Sequence, residues 1–268
     1  MVATGESLLG AIPWLQQLLL VGLVATRFAT AFALVPIFSD EIMPTTVRNS
    51  LIFTFGLTAF SLQMPPDVQA LTPVGWVALF AKEALAGGTI GLFFGTILWA
   101  MTSAGELIDN KIGATGAQLS VPVGGFQTGL TGGFFARLGN YVFVGAGGIT
   151  VLVGAVMESY VLWPLQSAAP GLDLAKAGFF EGEFGRFFVL AALLSGPFLV
   201  VLYIADAGLG LVNRFAQQLN VFALAAPIKS ALAVLMLIPM VPVLVDAVLH
   251  DLSERALVAA GVLTQLAR

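Results

Sequence analysis

The chain has 268 residues, of which 58% are hydrophobic and only 10% charged, with a formal net charge of −4 and a mean hydropathy of +0.97. A soluble domain carries about 25% charged residues, so much of this surface must meet lipid or partner protein rather than water. With no cysteine and a single histidine, His250, the chain excludes a disulfide framework, a thiolate metal site and a multi-histidine centre, and no basic cluster points to nucleic acid.

Spanning a bilayer as a helix takes roughly 20 apolar residues. In chain order, the segments that approach this are residues 12–38, 50–64, 74–101, 134–157, 187–204 and 221–245. No Lys or Arg precedes the first run, and it is far longer than a signal-peptide core, so it is expected to be a retained membrane segment. Residues 246–266 read as an amphipathic helix on a surface. Leu249, Leu252, Ala256, Ala259, Leu263 and Leu266 recur at helical spacing there, with His250, Asp251, Glu254 and Gln265 elsewhere. Loop charges do not fix an orientation. Arg48, Lys111, Arg137 and Arg214 fall on one side of a six-span arrangement and Lys176, Arg186, Arg255 and Arg268 on the other.

Two connections separate these runs. Residues 164–186, with Pro164, Pro170, Gly171 and mixed charge, read as an exposed link. Residues 105–133 hold Gly105, Gly113, Gly116, Gly124, Gly125, Gly129, Gly132 and Gly133 together with Asp109, Asn110, Lys111 and Pro122. That is long for a connector between membrane helices, and long loops are commonly functional. Composition leaves two readings, a flexible connector or a segment that lines or occludes a passage. No phosphate-binding or nucleophile-elbow pattern occurs in it.

Charges inside the apolar runs carry more information. Arg27 lies in the first, Lys82 and Glu83 in the third, Lys229 in the sixth, and Asp206 and Arg214 between the fifth and sixth. Each charge at a helix centre in lipid costs about 2.5–3.5 kcal/mol on insertion scales, so the set would oppose insertion by on the order of 15 kcal/mol if it faced hydrocarbon. These groups are expected to pair, to snorkel, or to meet a polar protein or lumenal surface. Asp206 with Gly208 and Gly210 reads as a helix interruption. Gly87, Gly91 and Gly95 repeat every four residues, a spacing that lets another helix approach closely. The approaching helix is either from this chain or from a neighbour.

Four stretches together resemble the T-type subunit of the type III secretion export apparatus, the SctT family of injectisomes with its flagellar homologue FliR. They are RFATAFALVPIFSDEIMPTTVRNSL (27–51), KEALAGGTIGLFFG (82–95), GELIDNKIGATGAQLSVP (105–122) and GLGLVNRFAQQLNVFALAAPIKSALAVLML (208–237). Ile108-Asp109-Asn110 followed by Gly113-Ala114-Thr115, and Lys229-Ser230 after Asn220 and Phe222, are closer to the injectisome pattern. Gln217 stands where the family commonly has proline, and Val121-Pro122 where it often has Asp-Pro.

The resemblance implies a single 268-residue export-gate unit with no catalytic residues, no cofactor and no bound metal. Its fold is expected to be all-α, a membrane-associated bundle of long, partly broken hydrophobic helices and helical hairpins, with an amphipathic helix at about 246–268. It further implies assembly with SctR- and SctS-type subunits, beside an SctU-type switch protein and an SctV-type gate protein. The location would be the bacterial inner membrane, largely at its periplasmic side once assembled, and the cargo unfolded secreted proteins. The loop matching residues 106–128 would plug the channel, with Asp109, Asn110, Lys111, Gly113, Gly116, Pro122, Gly124 and Gly125 in it. Arg27, Lys82, Glu83, Asp206, Arg214 and Lys229 would be buried or intersubunit charges. A flagellar export subunit and a small-solute secondary transporter, with Asp206, Arg214 and Glu83 as coupling residues, are the alternatives.

Overall fold

A computed structural model of the chain describes residues 13–63, 72–113, 129–166, 177–215 and 221–267. Among the described residues all regular structure is helical, as an apolar medium demands of any segment that must satisfy its own backbone. The helices are α1 (Pro13–Leu34), α2 (Thr45–Leu62), α3 (Pro73–Ile112), α4 (Leu130–Gly145), α5 (Gly148–Leu162), α6 (Ala177–Phe215) and α7 (Val221–Ala267), with a short 3-10 turn at Pro36–Phe38. Four of them are long and apolar enough to cross a membrane: α1 over Gln17–Leu34, α3 over Pro73–Ile112, α6 over Phe180–Phe215 and α7 over Leu224–Arg255. The pair α4 and α5 makes a fifth if taken as one broken span.

The residues fall into two compact units. The first comprises Met1–Gly95, Gly147–Gly178 and Ser253–Arg268, the second Thr96–Ala146 and Phe179–Leu252. In the first, Pro36 ends α1 by pushing Val35 into an extended conformation (φ −102°, ψ 117°). The chain turns through Pro36–Phe38 and returns as α2, packed on α1. Contact is close because Gly56 faces Ala25, and a Cβ on Gly56 would lie 2.8 Å from the Ala25 Cβ. Aromatic rings fill this angle. Phe32 stacks on Phe38 with centroids 4.0 Å apart, and Phe28 stacks on Phe55 at 5.7 Å. The first half of α3 lies equally close to α1. A Cβ on Gly87 would be 2.0 Å from the Arg27 carbonyl, and one on Gly91 would be 2.5 Å from that of Ala31.

In the second unit the end of α3 and the start of α4 form a tight antiparallel stem. A Cβ on Gly105 would meet the Gly132 Cα at 2.5 Å, and one on Gly139 would meet Met101 Sδ at 2.8 Å. Phe135 on α4 packs edge-on against Phe198 of α6, and both are fully buried. Helices α6 and α7 keep only 28% and 22% of their apolar windows buried, against 72% for α3. Phe188, Leu193, Ile204, Leu235 and Ile238 all point outward, which suits lipid or partner protein and not water.

Several boundaries differ from those read in the sequence. The expected span 50–64 belongs to α2, which is not among the membrane-length apolar helices because Arg48, Asn49 and a run of hydroxyl residues dilute it. The single segment expected at 134–157 is two helices, divided at Ala146–Gly147, where Gly147 takes a left-handed φ of +79°. Asp206, Gly208 and Gly210 do not interrupt a helix, since α6 runs through them to Phe215. Glycine costs a helix only about 1 kcal/mol per residue, whereas backbone groups freed in an apolar setting cost several. Residues 177–186 are helical and not part of an exposed link, and no separate helix starts near 246, because α7 is continuous from Val221. The glycine-rich connection is shorter than 105–133: α3 extends through Ile112 and α4 starts at Leu130, so Asp109, Asn110 and Lys111 are helical.

Candidate functional site: buried ion pairs and the stem of the glycine-rich segment

In the first unit, Arg27 from α1 reaches Glu83 on α3 in a two-pronged pair. Nε donates to Oε2 at 2.7 Å and Nη2 to Oε1 at 2.9 Å, with both side chains fully buried. The guanidinium also donates from Nη1 to Ser159 Oγ at 2.8 Å and from Nη2 to the Trp163 carbonyl at 3.1 Å. The Tyr160 ring lies 3.9 Å beneath the guanidinium carbon, and its hydroxyl donates to the Val24 carbonyl at 2.7 Å. Lys82 Nζ pairs with Glu83 Oε1 at 3.2 Å and donates to the Pro164 and Leu165 carbonyls at 2.9 and 3.0 Å. Two cations thus share one carboxylate. The excess positive charge lies against the carbonyls just past the end of α5, where the helix dipole is negative. The contacts of Arg27, Lys82 and Glu83 tie α1, α3 and the end of α5 to one another.

The second unit carries a different cluster. Asp206 on α6 accepts Lys111 of α3 at 2.6 Å and Lys229 of α7 at 3.2 Å. Lys229 also donates to the Lys111 carbonyl at 3.1 Å, capping the end of α3, and Lys111 lies 3.8 Å from the Tyr203 ring centroid. These side chains are between an eighth and a third exposed, so their attraction is screened more than that of the Arg27 pair. Arg214 is exposed near the end of α6 and is not brought into this cluster.

At the stem, Asp109 is buried and its carboxylate accepts two backbone N–H groups, Thr131 to Oδ1 at 3.2 Å and Gly132 to Oδ2 at 2.8 Å. Asn110 is exposed, and Gly113 ends α3 with φ +85°. Gly116, Pro122, Gly124 and Gly125 lie outside the described residues. Of the glycine ladder, Gly87 and Gly91 meet α1 within the chain, and Gly95 is buried.

Sequence reasoning missed two contacts. Arg186 on α6 is paired with Asp251 on α7, and Thr96 donates to Glu183 at 3.2 Å. All four lie in membrane-length helices, whereas the sequence alone places Glu183 and Arg186 in an exposed link and Asp251 on a surface helix. The available signal was the matched charge of Arg186 and Asp251 beside two long apolar runs. No cluster of three or more His, Cys, Asp or Glu residues that could hold a metal occurs among the described residues.

Comparison with known proteins gives a consistent result. The family model described as bacterial export proteins, family 1, matches residues 18–255. The chain is 35% identical to Yop proteins translocation protein T of Yersinia pestis over 227 residues, 83% of this chain and 86% of that one. It is 30% identical to the surface presentation of antigens protein SpaR of Salmonella typhimurium, covering 84% of each. With the flagellar biosynthetic protein FliR of Bacillus subtilis it shares 28% identity over 81% of this chain and 83% of the relative.

Proposed function

The chain belongs to family 1 of the bacterial export proteins, and on that premise we propose that it is a structural subunit of a type III protein-export gate in the bacterial inner membrane. The family match over residues 18–255 carries this reading. The site chemistry agrees with it: the charges set into apolar helices hold helices together, as a scaffold requires, and Glu83 and Asp206 are each engaged by two lysine or arginine side chains.

The injectisome branch is favoured, because the identity to the Yop translocation protein is 35% against 28% for the flagellar FliR. In this reading the chain joins R- and S-type subunits beside the SctU- and SctV-type proteins, and unfolded secreted proteins pass through the assembly. The outward apolar faces of α6 and α7 then cover partner subunits as well as lipid. Residues 106–128 seal the channel at rest, with their two ends fixed by the α3–α4 stem. Arg214, exposed at the end of α6, is an intersubunit contact.

The test is secretion in a strain lacking this gene. Export of the needle-forming and effector proteins should stop and should return when the gene is restored. Unchanged export from the deleted strain would remove the reading. Loss of motility with intact virulence export would assign the chain to the flagellar branch.

A further inference from the structure

The start of α4 has an unusual gap that another helix fills. A helix leaves its first N–H groups without intrahelical partners, and the residue before the helix ordinarily covers them with its own side chain, bonding the second or third N–H. Here that residue is Gly129, which has the extended backbone of a capping position (φ −64°, ψ 165°) but no side chain. The second and third residues of α4 are Thr131 and Gly132. Both their N–H groups are taken by the Asp109 carboxylate, 22 and 23 residues earlier in the chain.

Gly129 cannot contribute a cap of its own while Asp109 is present. A Cβ there would lie 2.1 Å from Asp109 Oδ2, 2.4 Å from Cγ and 2.7 Å from Cβ. The glycine and the aspartate are therefore two halves of one device. Just beneath it, Gly105 and Gly132 bring the α3 and α4 backbones into contact.

We propose that Asp109 is a positioning residue that caps α4 from α3 and so fixes the two ends of the 113–129 segment against each other. A carboxylate accepting two N–H groups at a helix start is also favoured by the positive end of the helix dipole. The stem is then held by contacts of its own, which any opening of a seal between its ends leaves in place. This consequence for gating rests on the reading of residues 106–128 as a seal. The cap does not.

The geometry prescribes the test, which uses the full chain in the assembled gate. Hydrogen exchange at the first turn of α4 and resting ion flux across the membrane are measured together. Asp109→Gly removes the cap and should speed exchange of the Thr131 and Gly132 amides about tenfold. Gly129→Ser alone should also speed it, because the new Cβ displaces the carboxylate. The double variant Asp109→Gly with Gly129→Ser has room for the serine, whose hydroxyl reaches the same N–H groups from the chain's own capping position. Its exchange should return to within roughly threefold of the unmodified protein. A substitution harmful with aspartate in place and beneficial without it is the signature of a shared cap.

Asp109→Asn, which keeps one acceptor, serves if the glycine variant does not assemble, and it should loosen the α4 start to an intermediate extent. Unchanged exchange in Asp109→Gly or Asp109→Asn, or a double variant as fast as Asp109→Gly alone, overturns the proposal. Exchange that follows the predicted pattern supports the cap, and flux that rises and falls with it also supports the seal. The predicted exchange with resting flux unchanged throughout leaves the cap standing and removes the seal.

Discussion

Glu83→Gln tests the energetics of the buried node most severely. The carboxylate accepts both prongs of Arg27 and also pairs with Lys82, and all three side chains are fully buried. Glutamine keeps the shape but presents an NH2 to at least one donor, and it removes the negative charge that two buried cations share. Removing one partner of a buried pair costs about 3–5 kcal/mol. The carbonyls of Trp163, Pro164 and Leu165 and the Ser159 hydroxyl remain as neutral acceptors, which places the loss near ~3 kcal/mol on that scale. Against a typical total stability of about 5–15 kcal/mol this raises the unfolded fraction by roughly a hundredfold. The assay is the amount of chain retained in membranes, with thermal unfolding of the detergent-extracted gate. Glu83→Gln should fall steeply in both, and Glu83→Asp, which keeps the charge but is one methylene shorter, should lie between. Wild-type accumulation and unfolding temperature in Glu83→Gln would refute the assignment of these residues as the lock of the first unit.

The remaining expectations use the same measurements. Gly91→Leu should abolish accumulation, because even its Cβ would lie 2.5 Å from the Ala31 carbonyl, whereas Gly88→Ala, whose Cβ meets only the Leu34 side chain at 3.8 Å, should be tolerated. Equal behaviour would remove the α1–α3 close contact. Asp206→Asn should cost far less than Glu83→Gln, about 1 kcal/mol or below, because its lysine partners are part-exposed and screened. Tyr160→Phe removes the hydroxyl bond to Val24 but keeps the ring under Arg27, so a loss of about 1 kcal/mol is expected. Deleting residues 116–125 should leave assembly intact and make resting cells leak small solutes, and normal assembly without a leak would return the segment to being a connector.

The helical class was legible because apolar runs of membrane length have few other ways to satisfy their backbone. The helix ends were not. Hydropathy fades near Met101, yet α3 continues as helix through polar residues until Gly113 adopts φ +85°. Likewise the charges around 183–186 and 251 hid the continuation of α6 and α7, since opposite charges that neutralise each other across two helices look, one at a time, like surface. Arg27, Lys82 and Glu83 announced that they needed partners. Which partner each finds depends on bringing together residues 56 positions apart and on carbonyls past the end of α5, and no local pattern encodes that. Asp109 was visible as a charge among glycines but not as a cap, because the residue it serves is defined by lacking a side chain.

The central claim is that this chain is a part of a type III export gate and not a self-sufficient membrane protein. Its most direct test is co-expression of the affinity-tagged chain with the R- and S-type subunits from the same genome, followed by detergent extraction and mass measurement of the purified material. The account predicts one complex containing all three proteins in fixed ratio. Recovery of the tagged chain alone, monodisperse and stable, with the R- and S-type subunits left behind, would contradict it.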